Sequence, residues 1–393
     1  MDYPKSVPGV GLVDGRFVDE DKTVPRVGSL IPAAWGNAIT DEVLHVLAEG
    51  GLVPDEADPT QLAEAIKKII DTRVSADYVT RGILAAAIGS SGAAASRNRL
   101  INSGAQVAIQ TATPTLSSAV QYGPVEMIAG WASGGAITAG TLIQDTASPV
   151  GRTGYAVKFA GCTLTGAGVI SWRYRMEAAE AVKLKNATAM FQMVVQHDVG
   201  APVNYTVLLS KPTNTADDFS AVTAIATSAP VAVASGTATQ LIPWQNGIAL
   251  GDCSKGLNIE VQVACGAITT KNFWFTEWQL EEGTVATPLE RRGYQAELAA
   301  CQRYALNVPI GSLFINGWAG SAGAPVGAAG IDYPVEMRVP PTVPSISFAL
   351  TQCNTPAIAY NTTRCMRLAA TGTVSAGQAN AYNNAAFVIT ARL

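Results

Sequence analysis

Short apolar stretches that alternate with polar residues dominate the chain from residue 98 onward. In residues 257–263 every odd position is apolar and every even position is polar, which is the pattern of a strand with one buried and one solvated face. No long helical pattern intervenes between such windows, and Gly, Pro, Asn and Ser turns separate them. We therefore expect a mainly β fold, an antiparallel β-sandwich of jelly-roll type. The other strand-length windows are residues 156–159, 168–176, 189–196, 205–209 and 272–280.

The first 75 residues have a different pattern, that of a small extended and helical segment. Prolines and glycines punctuate residues 1–36, which predicts extended chain without a core of its own. A helix is predicted to begin near the N-cap residue Thr40 and to end at Gly50. A second helix is predicted to start at residues 58–61, Asp-Pro-Thr-Gln, which offer an N-cap, a proline in the first turn and a capping-box glutamine.

Charge and composition divide the chain further. Residues 1–75 carry thirteen acidic and seven basic side chains, whereas the rest of the chain carries seventeen acidic and nineteen basic ones. Residues 76–97 include a Gly/Ser/Ala run and are predicted to be a linker or a short helical trimerisation segment. We expect a β-sandwich at residues 98–308 and a C-terminal β domain at residues 309–393. So large a weakly charged surface favours an oligomer that buries it against copies of itself.

Several classes of protein are disfavoured by composition. An apolar content of 48% argues against disorder, and a net charge of −4 without a basic cluster argues against nucleic-acid binding. The chain has no run of about 18 apolar residues, and its acidic N-terminus is unlike a signal peptide, so no membrane insertion is expected. Its glycine-rich stretches lack the strand–loop–helix context of phosphate binding, and we expect no cofactor.

The N-terminal segment resembles a known module. Residues 28–44, GSLIPAAWGNAITDEVL, followed by Gly-Leu-Val-Pro-Asp and Thr-Gln-Leu, are similar to the N-terminal module of many bacteriophage tail-fibre proteins. The resemblance covers about residues 25–70 and implies that this segment anchors a fibre to the baseplate or tail. A generic helical hairpin is the alternative interpretation. The tail-attachment residues that the resemblance implies are Ile31, Pro32, Trp35 and Asn37.

A second resemblance lies near the end of the predicted sandwich. Residues 278–292, WQLEEGTVATPLERR, and 297–304, ELAACQRY, resemble a tail-fibre segment in which the last strand of a carbohydrate-binding-module-like sandwich leads into a short helix. Residues 98–102, NRLIN, are similar to the opening of that domain. The chain departs from the pattern at Leu289, where an aromatic residue is expected, and at residues 103–105, where Gly-Asp/Asn-Phe is usual. These departures leave the expected fold intact but put a sugar site inferred from relatives in doubt.

The C-terminal part contains the aromatic candidates for binding. The Gly/Ala-rich residues 311–330 are predicted to be a loop. Residues 331–343 are predicted to be a strand, and they resemble the opening of the C-terminal domain in those tail-fibre proteins. Residues 385–393 are predicted to be a terminal strand. Small residues beside exposed rings suit a receptor-binding tip. The alternative for Trp318 is that it fills a trimer interface. The candidate receptor-binding residues are Trp318, Trp244, Tyr360 and Tyr382. Trp172 and Tyr174 share a strand face and are expected in the core.

The chain offers little of what catalysis needs. His45 is expected on the solvated side of the first helix and His197 in a turn, and neither has metal-ligand spacing or a nucleophile motif. The carboxylate pairs at 217–218 and 281–282 are adjacent in sequence, so they do not converge on one glycosidic bond. We expect no catalytic and no metal site. The six cysteines contain no CxxC spacing, and buried free thiols are favoured because a phage protein is assembled in the reducing host cytoplasm.

The resemblance thus implies a phage tail fibre or receptor-binding protein of the virion. It would act as a non-catalytic homotrimer whose partners are baseplate or tail proteins and a host receptor. That receptor would be a surface glycan such as lipopolysaccharide, or a protein such as a pilus. A tail-associated glycan hydrolase and a purely structural tail or baseplate component are the alternatives.

Overall fold

A computed structural model describes residues 7–23, 28–55, 57–77, 97–110, 112–373 and 376–393, with the backbone only for residues 33 and 73–77. The chain forms two compact units, Met1–Leu84 and Ala85–Leu393, and each is described by itself. The predicted Gly/Ser/Ala hinge at residues 89–96 lies outside the described residues. Within the described part, no helix has both the length and the apolar character that crossing a bilayer requires.

Two helices form the first unit, α1 (Ala33–Glu49) and α2 (Gln61–Asp77). The predicted start of α1 at Thr40 is wrong, because the helix begins seven residues earlier. Pro32 precedes it without a side-chain cap, and Thr40 donates its hydroxyl to the carbonyl of Gly36 at 3.1 Å inside the helix. The helix ends at Gly50 as predicted.

Close backbone approach brings the two helices together. A Cβ atom on Gly50 would lie 2.7 Å from the Cα of Ala65, so a larger residue there would separate the helices. Ala65 and Leu47 are buried between them. Gln61 does not act as a capping-box residue. It accepts from the N–H of Asp55 and donates to the carbonyl of Val53, both at 2.8 Å, and so holds the connection between the helices.

In its described residues, from 97 onward, the second unit is built of β-strands with three short helical elements. Its helices are α3 (Ala178–Ala181), a 3-10 turn (Val182–Leu184) and α4 (Tyr294–Gln302). Its strands are β1 (Gln121–Tyr122), β2 (Ile128–Ser133), β3 (Ile137–Asp145), β4 (Ala156–Leu164), β5 (Val169–Met176), β6 (Thr188–His197), β7 (Val203–Pro212), β8 (Val222–Thr227), β9 (Val231–Val233), β10 (Thr239–Leu241), β11 (Ile248–Ala249), β12 (Leu257–Ala264), β13 (Ile268–Glu282), β14 (Ala305–Val308), β15 (Phe314–Ala319), β16 (Pro325–Asp332), β17 (Phe348–Thr351), β18 (Ala357–Asn361), β19 (Cys365–Thr371), β20 (Gly377–Asn383) and β21 (Phe387–Thr390).

Two antiparallel sheets form a β-sandwich, which confirms the predicted fold class. One sheet has the order β1-β2-β5-β12-β7-β8 with β9 on β7, and the other has the order β10-β6-β13-β4-β3 with β11 on β6. Val261 shows the register, since it lies between Trp172 of β5 and Val207 of β7. Trp172 and Tyr174 are buried, as predicted. Trp172 packs against Trp278 and Phe275 of the opposite sheet, with ring centroids 5.5 and 6.5 Å apart.

The outer face of β12 is less solvated than its alternating sequence predicts. The odd residues 257–263 are buried in the core, but Asn258 on the other face is buried as well. Asn258 donates to Ser210 at 3.2 Å and accepts from Arg175 at 3.4 Å. Arg175 in turn donates to the carbonyl of Leu393 at 3.2 Å. The face is covered because residues far along the chain fold back over it.

The segments that open and close the sandwich meet at one buried side chain. Asn98 accepts with Oδ1 from the N–H groups of Leu100, at 3.0 Å, and Leu280, at 3.1 Å. Its Nδ2 donates to the carbonyl of Trp278 at 3.0 Å. We call residues 97–102 the opening segment and residues 278–297 the closing segment. The opening and closing segments are therefore bonded to each other.

Charged groups strengthen the contact between these two segments. The N–H of Asn98 donates to Glu290 at 2.5 Å, and the N–H of Asn102 donates to Glu297 at 2.5 Å. Arg292 donates to the carbonyls of Leu100, at 3.0 Å, and Asn98. The backbone of the opening segment thus both donates and accepts hydrogen bonds, and its partners lie on the closing segment.

Three small sheets follow the sandwich: β14-β21, β15-β20-β17 and β16-β19-β18. The prediction that residues 311–330 form a loop is wrong, since they contain β15 and most of β16. Glycine and alanine are frequent in this stretch, so its period of two is weak. The predicted strand at 331–343 ends at Asp332. Pro334, Pro340 and Pro341 follow, and proline cannot donate to a ladder.

Ion pairs connect these C-terminal residues to the sandwich within the same compact unit. Arg392 donates to the fully buried Glu126 at 2.8 Å. Arg338 lies 3.2 Å from Asp217. The division into a body at 98–308 and a C-terminal domain at 309–393 stays a prediction.

Replacing the buried amide of the opening segment should destabilise the fold. In an Asn98→Ala variant the N–H groups of Leu100 and Leu280 and the carbonyl of Trp278 lose their partner. We expect the free energy of unfolding to fall by roughly 2–4 kcal/mol, since buried polar groups left unpaired cost about 1–3 kcal/mol each. Urea unfolding followed by tryptophan fluorescence measures it. The matched control Asn316→Ala, at an exposed site, should change stability by less than about 0.5 kcal/mol; equal losses in both variants would contradict the role of Asn98.

Candidate functional site

Three large aromatic side chains lie on the solvent side of the sheet β15-β20-β17. Phe314 pairs directly with Tyr382 across β15 and β20, and Trp318 pairs with Gln378 four residues further along β15. The exposed fractions are 57% for Phe314, 64% for Trp318 and 39% for Tyr382. We call Phe314, Trp318 and Tyr382 the aromatic face. Two of the predicted receptor-binding residues, Trp318 and Tyr382, are thus brought onto one surface.

The period of the strand forces these rings outward. Along β15 the residues that follow each ring, Ile315 and Ala319, are buried, and on β20 Ala379 and Ala381 are buried. Three alanines and Ile315 occupy the core side and large rings the solvent side, so apolar area is left exposed, which marks a surface for contact. Gly317 permits the neighbouring strand to pass closely, because a Cβ atom there would lie 2.0 Å from the carbonyl oxygen of Val326.

Polar amides lie between the rings. Asn316 and Asn380 pair across the two strands, midway between Phe314 and Trp318. Phe314 and Trp318 are four residues apart on one strand, about 13 Å at the usual rise. Flat rings present apolar surface at low entropic cost, and amides both donate and accept hydrogen bonds. The face can therefore bind a ligand whose apolar sides are edged by hydroxyl or amide groups.

The other two predicted binding residues lie elsewhere. Tyr360 is exposed on β18, where it pairs with Arg367 of β19 in a different sheet. Trp244 follows β10 and is half-buried against the core of the sandwich. Neither belongs to the aromatic face. Phe314 is not among the residues predicted from the sequence, although its even spacing of four from Trp318 indicates a shared strand face.

A groove crosses the outer face of the sheet that contains β6, β10 and β13. Its volume is about 610 Å³, and loop residues 151–152 and 286–289 form its walls. Leu289, the position where the tail-fibre resemblance expects an aromatic residue, lies in one wall. Among the described lining residues none is aromatic, so the stacking surface of a sugar site is missing from this groove. Its floor is formed by Gln192, Val194, Gln240 and Ile242.

A β-bulge places one carboxylate in this groove. The register of β13 against β6 shifts between Thr276 and Gln279, and Glu277 has a left-handed φ of 53°. Its Oε1 accepts from the N–H of Arg152 at 2.5 Å. Bulges and strained backbone often lie beside binding clefts. Glu277 is the one carboxylate among the described residues of the groove, whereas glycoside hydrolysis by the usual mechanism uses two.

Glu281 and Asp217, one from each adjacent carboxylate pair, have structural partners. Glu281 is buried and accepts from the N–H and the hydroxyl of Thr287 at 2.8 and 2.5 Å. Arg97 lies 3.1 Å from the same carboxylate. Asp217 accepts from the N–H of Ala178 at 2.7 Å in addition to its pair with Arg338. These side chains hold loops and segments in place.

The predicted position of His197 in a turn is wrong. His197 is the last residue of β6 and is fully buried, with its ring centroid 6.1 Å from that of Tyr205. Nε2 lies 3.0 Å from the carbonyl oxygen of Val233 and must donate, while Nδ1 accepts from the N–H of Val199 at 3.3 Å. Both ring nitrogens are occupied, so the imidazole is not placed to activate a nucleophile. His45 is exposed on α1, as predicted.

No potential metal centre is found in the parts of the chain that the structure describes, where no three His, Cys, Asp or Glu side chains converge. The six cysteines are free thiols, and all except Cys365 are buried. Burial raises the pKa of Cys162 to about 12 and that of Cys265 to about 11. The pKa of Cys301 is raised well above its usual value for the same reason. A raised thiol pKa lowers the thiolate fraction at neutral pH, which removes nucleophilic character.

Comparison with known proteins gives partial structural similarities. No protein-family model matches the sequence, and no curated protein sequence matches it. A carbohydrate-binding module described as promiscuous in specificity matches 42% of this chain over 63% of its own length, at 12% identity and a TM-score of 0.31. The C-terminal family 22 carbohydrate-binding module of Clostridium thermocellum Xyn10B matches 40% of this chain over 88% of its own length, at 16% identity and a TM-score of 0.28. The xylan-binding domain of Paenibacillus barcinonensis Xyn10C matches 44% of this chain over its full length, at 12% identity and a TM-score of 0.28.

Thiol alkylation should report the burial of the cysteines. In the native protein at pH 8, iodoacetamide is expected to label Cys365 and to leave Cys162, Cys265 and Cys301 unmodified, because their raised pKa values keep them protonated and their burial excludes the reagent. Mass spectrometry of digests, without reductant, gives the labelled positions. After unfolding in guanidinium all six should react. Rapid native labelling of Cys162, or a disulfide between Cys253 and Cys265 or between Cys353 and Cys365, would contradict this arrangement.

Proposed function

We propose that this protein is a non-catalytic bacteriophage tail fibre that attaches the virion to a glycan on the host surface through its aromatic face. The observation that carries the proposal is the alignment of Phe314, Trp318 and Tyr382 on one exposed sheet face. Rings of this kind stack on the C–H faces of sugars. The amides of Asn316 and Asn380 between them can bond to sugar hydroxyls.

The role in a virion is supported by the tail-fibre resemblance of two sequence stretches. In the N-terminal unit Ile31 is 63% exposed and Asn37 is exposed. Pro32 precedes α1, and the ring of Trp35 lies 5.0 Å from that of Phe17, which orients it. Under the proposal this segment attaches to baseplate or tail proteins.

A homotrimer would raise the strength of attachment. Shallow exposed faces bind single glycans weakly, but three linked copies make the second and third contacts intramolecular. Avidity gains of about 10²–10⁴ arise without any new contact. A trimer of this fibre would therefore hold a cell surface with sites that are individually weak.

Binding without catalysis is favoured over a glycan hydrolase. The groove contains one carboxylate, and the carboxylates of Glu281 and Asp217 are bonded to loops. A hydrolase would release reducing sugar from host polysaccharide, and a purely structural component would not bind cells. These outcomes separate the alternatives.

Cell adsorption tests the proposal through point variants of the aromatic face. The double variant Trp318→Ala/Tyr382→Ala should weaken binding of the labelled full chain to host cells, and to their extracted lipopolysaccharide, by about tenfold or more, because ring anchors dominate such contacts. Tyr360→Ala, which changes an exposed tyrosine on another sheet, is the control and should bind as the native chain does. Point variants are preferable to removal of residues 309–393, because removal would leave Glu126 buried without Arg392.

The same variants decide between a ligand surface and an interface between copies. Light scattering should give one mass, that of a trimer, for the native chain and for the double variant. A smaller mass for the double variant would show that the rings bury each other between chains instead of binding a receptor. Cell binding that is undiminished, or that disappears when pili but not glycans are removed from the host, would overturn the glycan proposal.

A further inference from the structure

A second cavity adjoins the groove and differs from it in charge. Its volume is about 330 Å³, and Arg152 and Leu289 line both cavities. Three arginines and one exposed tyrosine surround it. We call Arg152, Arg291, Arg292 and Tyr294 the arginine pocket. Asn102, Ser103, Gly104, Gln106, Thr153 and Glu297 complete its lining.

Two of the three guanidinium groups are uncompensated. Arg292 donates to carbonyls of the opening segment and lies 3.9 Å from Glu297. Glu297 is buried, and it also accepts from a backbone N–H. Arg152 and Arg291 are exposed, and neither guanidinium makes a hydrogen bond or ion pair with any residue in the described part of the chain. The pocket therefore has an excess of two positive charges.

Helix α4 adds to this positive field. The pocket lies at its first residue, Tyr294, and the preceding Gly293 provides no side-chain cap. The free N–H groups of a helix N-terminus favour anions. The ring of Tyr294, which is half exposed, lies beside the arginines and provides apolar surface. Charge and aromatic surface thus converge in one concave site.

We propose that the arginine pocket binds the anionic group of an acidic saccharide, with the adjoining groove holding the neighbouring sugar units. Arginine bonds carboxylates and phosphates through two parallel N–H groups, and Arg152 and Arg291 are available to do so. The two cavities together lie within the size range of ligand sites. The claim that a saccharide carries the anion rests on the proposed function. The claim that the pocket binds an anion does not. The site is separate in sequence and sheet from the aromatic face.

Calorimetry on the full chain at low salt tests the proposal with four probes: trigalacturonate, its neutral counterpart galactotriose, galactose 1-phosphate and inorganic phosphate. We expect the two anionic saccharides to bind more tightly than galactotriose, with a Kd that rises as salt screens the charges. The variants Arg152→Gln and Arg291→Gln should each raise that Kd about tenfold, as loss of a charge-assisted hydrogen bond does. Arg364→Gln, an exposed arginine of the C-terminal sheet paired with Glu336, is the control and should have no effect.

Comparison of the probes shows which chemical group carries the negative charge. Preference for trigalacturonate assigns a carboxylate-bearing sugar, and preference for galactose 1-phosphate assigns a phosphorylated one. Equal binding of galactotriose and trigalacturonate, equal Kd values in native and Arg291→Gln protein, or no binding of any anionic probe would overturn the proposal. Inorganic phosphate bound as tightly as either acidic sugar would overturn its saccharide part.

The outcome is distinguishable from failure of the aromatic-face proposal. The Trp318→Ala/Tyr382→Ala variant should bind the acidic probes as the native chain does, because its changes lie on another sheet. Probe binding without any binding to host cells would remove the proposed function and leave the pocket as an anion site. Cell binding that depends on the rings, without probe binding, would remove only the pocket.

Discussion

The buried amide of Asn98 is the interaction on which the sandwich depends. It joins the backbone of the opening segment to that of β13, 180 residues later in the chain. Joining two segments so far apart in the chain costs conformational entropy. The contact is stable because every polar atom of the amide has a buried partner. Arg292, Glu290 and Glu297 add charged bonds to the same contact. The position of α4, and with it of the arginine pocket, follows from this closure.

The candidate binding surfaces arise from departures from ordinary strand rules. On β15 and β20 three alanines and Ile315 fill the core side, while the rings of Phe314, Trp318 and Tyr382 on the other face remain in solvent. On β13 an extra residue forms a bulge, which places Glu277 in the groove. Each departure lowers stability locally. The core beneath β15 contains few residues, and it is tolerated because the same unit contains a large aromatic core between the two main sheets.

Sequence reasoning succeeded where local periodicity was strong and failed where it was weak. The six strand windows of the sandwich match observed strands, apart from residue 168 just before β5, since large alternating side chains indicate their period directly. Strands β15 and β16 are not predicted because residues 317–330 are rich in glycine and alanine, and Phe314, Ile315 and Trp318 do not alternate strictly with polar residues. The start of α1 was missed because Thr40 is a good N-cap residue, but the small residues after Pro32 are compatible with helix and extend it. His197 was misplaced because a following aspartate is a turn signal, whereas its burial depends on Tyr205 and Phe273.

The sequence by itself determined the fold class, the helical N-terminal segment and the burial of Trp172 and Tyr174. These follow from residue type and local period, which need no knowledge of partners. Only the tertiary structure decided which candidates share a surface: Trp318 with Tyr382 but without Tyr360 and Trp244. It also brought Arg152 beside Arg291, more than a hundred residues away. Cross-strand register and loop packing create these neighbours, and they depend on contacts between distant residues that no local pattern records.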